Sequence, residues 1–135
     1  MDKRESDPPG ALYQLAGTTA VRGACEAARA FADAAGLDEG DAGRLCIVAE
    51  ELVTNVIDHG GATHAQLAFA LVGGNVRIEL TDSGKPFDPR TTPDPVRTER
   101  GGGAGLAIVR TWAQMLSYQS AAGSNRLTLV MALRR

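Results

Sequence analysis

Between Val21 and Ala35 apolar side chains recur every three or four residues (Val21, Ala24, Cys25, Ala28, Phe31, Ala32, Ala35), the spacing that lines one face of an α-helix. The pattern predicts a helix beginning at Thr18 or Thr19 and stopped by Gly36. A second helix follows, capped by Asp38 or Asp41 and running to about His59, where Gly60 and Gly61 end it. The period then changes to two. Leu67, Phe69 and Leu71 form one alternating run and Val76, Ile78 and Leu80 the next, joined by Val72-Gly73-Gly74-Asn75, which predicts a hairpin. Residues 82–102 hold Pro86, Pro89, Pro93 and Pro95 with several charges and a glycine run, a composition that predicts a long loop. Leu106 to Leu116 reads as a helix with Ile108, Val109, Trp112 and Met115 or Leu116 facing inward, and SYQSAAG with RLTLVMAL as a second hairpin. Upstream, Leu12 and Leu15 suggest a short strand behind a loose tail over residues 1–10, with the single domain expected over 11–135.

Composition narrows the class. Of 135 residues, 44% are hydrophobic and 22% charged, close to the average for globular chains, so one core is expected and a disordered or fibrous chain is not. Lys and Arg number 14 against 16 Asp and Glu, a net charge of −2 that offers no footprint for nucleic acid and no polybasic patch for a membrane. With no apolar run of about 18 residues, neither export nor a membrane span is expected. Cys25 and Cys46 lack metal-type spacing and each falls in a helical apolar pattern, which predicts two buried thiols in a reducing cytoplasm. The 16 glycines are about 12% of the chain where about 7% is usual, and they need a cause.

Three segments could carry chemistry. On the second helix, at about 100° per residue, Asn55, Asp58, His59 and Arg44 all fall within about 80° of Glu51, while Leu45, Ala49, Leu52, Val53 and Val56 form a separate apolar stripe. Such a face is also what a solvated helix presents. Asp82-Ser83-Gly84-Lys85-Pro86-Phe87-Asp88-Pro89 follows a strand end; Asp-Ser-Gly is a common turn, but a carboxylate there can accept from an amino group of a flat ligand lying against the bare backbone of Gly84. Gly101-Gly102-Gly103-Ala104-Gly105 runs into the helix at Leu106, where free amides and the positive helix end suit a phosphate; it also suits a hinge. No Gly-Lys-Ser/Thr follows, and the position about 20 residues on is Gly123 and not an acid, which excludes a P-loop and a dinucleotide fingerprint.

Taken in order, the three segments resemble the N, G1 and G2 boxes of the GHKL ATP-binding superfamily. Glu51-Leu52-Val53-Thr54-Asn55-Val56-Ile57-Asp58-His59-Gly60 is most similar to the anti-sigma-factor serine kinases of bacterial partner-switching systems, as is the short form Asp82-x-Gly84-x-Pro86-Phe87-Asp88-Pro89. The resemblance spans roughly residues 12 to 133. It implies an α/β two-layer sandwich, with a mixed, mostly antiparallel sheet covered on one face by about three helices. It implies ATP and Mg²⁺, with Asn55 resembling the magnesium ligand and Glu51 the general base. Asp82 resembles the adenine selector, Gly84 and Phe87 line the base pocket, and Asp58 and His59 border the nucleotide. Gly101, Gly102, Gly103, Ala104, Gly105 and Leu106 would hold phosphate, and Arg100 resembles a lid arginine facing the γ-phosphate. His64 has no such place and reads as a surface residue without a partner.

The function implied is a cytoplasmic serine/threonine-protein kinase that phosphorylates a STAS-domain anti-anti-sigma partner and sequesters an RNA polymerase sigma factor, with homodimerisation common in such proteins. Two other functions are compatible with the same boxes: a non-catalytic module that uses ATP to hold and release its partner, and a GHKL-type ATPase.

Overall fold

The computed structural model describes residues 10–90 and 105–134. Strand β1 (Gly10–Ala16) passes through one turn of 3-10 helix (Gly17–Thr19) into α1 (Ala20–Ala35), followed by α2 (Glu39–Asp58). The hairpin β2 (His64–Val72) and β3 (Asn75–Asp82) comes next, then α3 (Gly105–Trp112), β4 (Ala113–Ala121) and β5 (Ser124–Ala132). The strands form one sheet in the order β1-β2-β3-β5-β4. Every pair is antiparallel, which corrects the expected mixed sheet: β4 runs in the same direction as β3, but β5 fills the slot between them. The two-layer arrangement with three helices is as expected.

Local chemistry sets the element ends. Gly36 takes the left-handed conformation (φ 73°) that closes α1, and Asp38 caps α2, its carboxylate accepting from the Asp41 amide at 2.8 Å. Asp41 is buried and ties the C-terminal end of the described chain to α2, accepting from the Arg44 guanidinium and from the Arg134 amide at 3.2 Å. The β2–β3 turn has positive φ at Gly73 and Gly74 (58° and 82°), as a two-residue hairpin turn requires.

The core lies between sheet and helices. Leu67, Phe69, Val76, Ile78, Leu80, Leu129 and Met131 point at the helices and are sealed, whereas His64, Gln66, Arg77 and Arg126 alternate with them and are exposed. Phe31 of α1 stacks on Phe69 with ring centroids 5.4 Å apart, and Tyr13 of β1 meets the same ring at 6.0 Å. Leu45, Ala49, Leu52 and Val53 of α2 are buried as the apolar stripe predicts, and Val56 is half-buried.

Three expectations need correction. The third helix ends at Trp112 and not at Leu116, because Ala113 and Met115 also fit a period of two and pair with Met131 and Leu129 of β5. The register slips between Met115 and Ser117, so Leu116 bulges outward at 48% exposure; Ile108 also faces solvent more than core, at 37%. Cys25 and Cys46 are not thiols but a disulfide, because alanine-rich α1 lies close enough to α2 to bring their Cα atoms to 4.6 Å. His64 is exposed as expected, but its Nδ1 pairs with the Thr63 hydroxyl at 2.8 Å. No helix among the described residues is long and apolar enough to cross a membrane. The tail residues 1–9, and Arg100, Gly101, Gly102, Gly103 and Ala104, lie outside the described residues.

We expect Phe69→Ala to cost about 3–5 kcal/mol, since it removes the ring on which both Tyr13 and Phe31 pack. Urea unfolding followed by circular dichroism measures this.

Candidate functional site

The end of α2 and the start of the loop after β3 meet backbone to backbone. The Lys85 amide donates to the Gly60 carbonyl at 2.7 Å, and a Cβ on Gly84 would come within 2.7 Å of that same carbonyl oxygen. A Cβ on Gly60 would in turn sit 2.7 Å from the Val56 carbonyl. Gly84 is therefore needed for the approach of the two segments, and Gly60 for the tight turn that closes α2. Their junction holds the α2 segment beside the Asp82 segment at the end of the sheet's central strand.

Beside that junction a cleft opens to solvent. Its walls are Leu52, Asn55 and Val56 of α2, Leu80 and Asp82 of β3, Lys85, Phe87 and Pro89 of the following loop, Tyr118 of β4 and Leu127 of β5. It is mostly apolar with a few polar groups converging on it, the usual make-up of a small-ligand site.

Asp82 is buried at 8% exposure and is held by a network of neutral donors. Its Oδ1 accepts from the Gly84 amide at 2.8 Å and from Asn125 Nδ2 at 3.1 Å. Asn125 is itself fixed: Nδ2 also donates to the Gly84 carbonyl at 2.8 Å, and its oxygen accepts from the Ser120 hydroxyl at 2.7 Å. Oδ2 takes no hydrogen bond among the described residues, which leaves one acceptor free for a ligand amino group. Asn125 was not among the sequence candidates. It lies 43 positions from Asp82 and faces it only because β3 and β5 pair at Asp82↔Asn125.

Phe87 forms the rim. Its ring stacks on His59 with centroids 5.8 Å apart, and its amide donates to the Tyr118 hydroxyl at 2.8 Å. Tyr118 was missed as well: it lies in the strand expected over SYQSAAG, but its contact with the Phe87 amide spans 31 positions. Arg110 of α3 donates to the Pro89 carbonyl at 2.6 Å, which joins the loop to α3. Of the α2 face, Glu51 and Asn55 are half-buried and turned toward this region; Asp58 and His59 are exposed, and Arg44 is engaged with Asp41.

One turn of α2 before Asn55, Glu51 lies against the first residue of α3. A Cβ on Gly105 would collide with the Glu51 carboxylate, approaching its Cδ to 2.7 Å, so glycine there is what lets the acid reach the start of α3. Asn55 Nδ2 is buried with no hydrogen-bond partner among the described residues, a cost of about 1–3 kcal/mol that an acceptor-rich ligand or its bound water would relieve. Leu106 is sealed in the core just behind Gly105, so its expected contribution to the site is confined to its backbone.

The cleft thus has an acid, Asp82, and an unsatisfied amide, Asn55, in its walls, and one turn of α2 away a second acid, Glu51, meets the start of α3. The sequence profile of the histidine kinase-like ATPase domain matches residues 15–131. The chain belongs to this family. It is 29% identical over 94 residues to the serine/threonine-protein kinase BtrW of Bordetella bronchiseptica, an alignment covering 63% of this chain and 66% of that protein. The chain thus spans slightly less than two thirds of that relative's length. Two solved structures share the fold. The SiaB–SiaC complex of Pseudomonas aeruginosa gives a TM-score of 0.57 at 15% identity, covering 90% of this chain and 88% of that one. The histidine kinase AdeS of Acinetobacter baumannii gives 0.54 at 17% identity, covering 93% and 68%. Membership of the histidine kinase-like ATPase family carries with it ATP binding.

In this histidine kinase-like ATPase domain, burial first and the charge of Glu50 second hold the Glu51 carboxyl above the ordinary glutamate range. A carboxyl raised by folding binds its proton more tightly in the native state. Its contribution to stability is therefore complete below the unfolded pKa and is lost as pH rises through the native one. We expect Glu51→Gln to raise the thermal unfolding midpoint at neutral pH and the difference to shrink toward about pH 4, where both chains carry a neutral side chain.

Proposed function

We propose that this domain is a protein serine/threonine kinase that transfers the γ-phosphoryl group of ATP to a hydroxyl of a small protein partner. The observation that carries it is the placement of Glu51: a half-buried carboxylate with raised proton affinity, seated on Gly105 at the start of α3 and one turn of α2 before the cleft residue Asn55. An acid so placed suits a general base facing the phosphates better than it suits a binding contact.

The base of ATP would enter the apolar part of the cleft, with its amino group donating to Asp82 Oδ2 and its ring beside Phe87. Guanine presents a carbonyl at that position and would leave the buried acid unpaired, which selects ATP over GTP. The phosphates would lie along Asn55 toward the amides of Gly105 and the glycines before it, with Arg100 neutralising charge on the γ-phosphoryl group. Asn55 would hold Mg²⁺ through its amide oxygen, the hard ligand that this cation prefers, while its unused Nδ2 would donate to a phosphate oxygen. When bound, Mg²⁺ would offset phosphate charge. Glu51 would take the proton of the attacking serine or threonine hydroxyl as its oxygen bonds to the γ-phosphorus and the bond to ADP breaks. A base with a raised pKa retains more driving force for that transfer, so the rate should fall as pH drops through the Glu51 pKa.

The similarity to BtrW, named a serine/threonine-protein kinase, and to SiaB, solved in complex with SiaC, supports a protein acceptor. The boxes resemble those of anti-sigma-factor kinases, so the partners proposed are a STAS-domain protein as acceptor and a sigma factor as the sequestered output, in the cytoplasm. A homodimer accords with the same group.

Incubation with ATP and the STAS-domain protein encoded nearby, followed by mass spectrometry, tests the proposal. Phosphoserine or phosphothreonine is expected with the parent chain, and Glu51→Ala should reduce transfer by about 10²–10⁴-fold while changing ATP affinity only slightly. Asp82→Asn should weaken ATP binding at least about tenfold and narrow the preference over GTP. Tight ATP binding without any transfer would favour the non-catalytic module.

A further inference from the structure

Neither the cleft nor its proposed chemistry uses the pair of cysteines that join α1 to α2. Cys25 is half-buried and Cys46 is 5% exposed, and their bond links residues 21 apart in sequence. Both helices continue beyond it, and α2 carries Glu51 and Asn55 one and two turns further on. Cys46 Sγ also lies 3.2 Å from Glu50 Oε1, on the residue next to Glu51. Cys25, Cys46 and Glu50 bring three potential ligand atoms within 4.8 Å of one another, yet with both sulfurs spent on each other the group is a disulfide and not a metal site. A partner such as a sigma factor works in a compartment where thiols are kept reduced, and a disulfide there forms only when conditions change.

We propose that Cys25 and Cys46 are a reversible thiol–disulfide site, reacting with small dithiols and disulfides, whose state sets how firmly α2 is held at Glu51 and Asn55. The compartment argument rests on the kinase reading; the geometry does not. In the reducing direction a small thiolate attacks the more accessible sulfur, Cys25 Sγ, and the Cys25–Cys46 bond breaks. The electron pair leaves on Cys46 Sγ, which takes a proton, and a second thiolate from the reductant then displaces Cys25 from the mixed disulfide. Two electrons and two protons enter the protein and the dithiol leaves as a disulfide. In the oxidised form, sulfur and the Glu50 carboxylate touch without a shared proton. In the reduced form, the Cys46 thiol has an acceptor already in place, so the turn that precedes Glu51 gains a hydrogen bond as it loses its tether to α1.

The test uses the full chain oxidised with glutathione disulfide or reduced with dithiothreitol, beside a Cys25→Ala, Cys46→Ala double variant. Alkylation and mass spectrometry count free thiols; amide hydrogen exchange follows the peptide covering residues 46–58; titration calorimetry measures ATP affinity. We expect no alkylated thiol in the oxidised form and two in the reduced form. Exchange in that peptide should be about tenfold slower when oxidised, with ATP bound about threefold more tightly, and the double variant should respond to neither reagent. Two alkylated thiols after oxidation would overturn the proposal, and so would equal exchange and equal ATP affinity in the two forms. Redox-dependent exchange without ATP binding in either form supports the thiol site and counts against the kinase reading alone.

Discussion

The site depends on two lengths of backbone that touch with no side chain between them. Gly60 ends α2 and Gly84 follows β3, and the Lys85 amide reaches the Gly60 carbonyl at 2.7 Å. A methyl group on Gly60 would strike the Val56 carbonyl in the last turn of α2, and one on Gly84 would meet the Gly60 carbonyl oxygen at 2.7 Å, well inside van der Waals contact, so the junction would have to open. Opening it would separate the two halves of the cleft, because Asn55 and Val56 come with α2 whereas Asp82 and Phe87 come with β3 and its loop. The core beneath tolerates no slack either: Leu45, Val48, Ala49 and Val53 are fully buried, which fixes α2 against its neighbours along most of its length.

Asp82 illustrates how the sheet then prepares a polar group. A carboxylate at 8% exposure with no cation bonded to it needs compensation from dipoles, and it receives two donors on one oxygen, from Gly84 and Asn125. Both donors are oriented by something else, Gly84 by the junction and Asn125 by Ser120 and the Gly84 carbonyl. One oxygen is thus committed to the fold, and the other remains for the ligand.

What the sequence made legible and what it concealed divide along the range of the interaction. Helical and alternating periods are local, so α1, α2 and the β2–β3 hairpin could be placed from Val21–Ala35, the Asp38 cap and Gly73-Gly74. Ala113 to Leu116 fitted both periods, and only pairing with Leu129 and Met131 decides for strand. Asn125 and Tyr118 enter the site through strand register and a loop contact 31 residues away, which no window along the chain can show. The same holds for the cysteines: each sits correctly in its own helix, but their union is a property of the distance between helices.

Glycine enrichment, the most conspicuous feature of the composition, also changes meaning once distances are known. Turn formation accounts for Gly73 and Gly74, where positive φ is required. At Gly60, Gly84 and Gly105 no positive φ is involved; what each excludes is a Cβ that would strike a carbonyl oxygen or the Glu51 carboxylate. These three belong to the α2 end, the loop after β3 and the start of α3, so each of the site's three segments contributes one position where a Cβ would strike a neighbour. That coincidence ties the spacing of the segments to packing as well as to ligand chemistry. An alanine at Gly105 would leave the fold's hydrogen bonds in place while pushing Glu51 aside, which makes the acid's position depend on a residue more than 50 positions away.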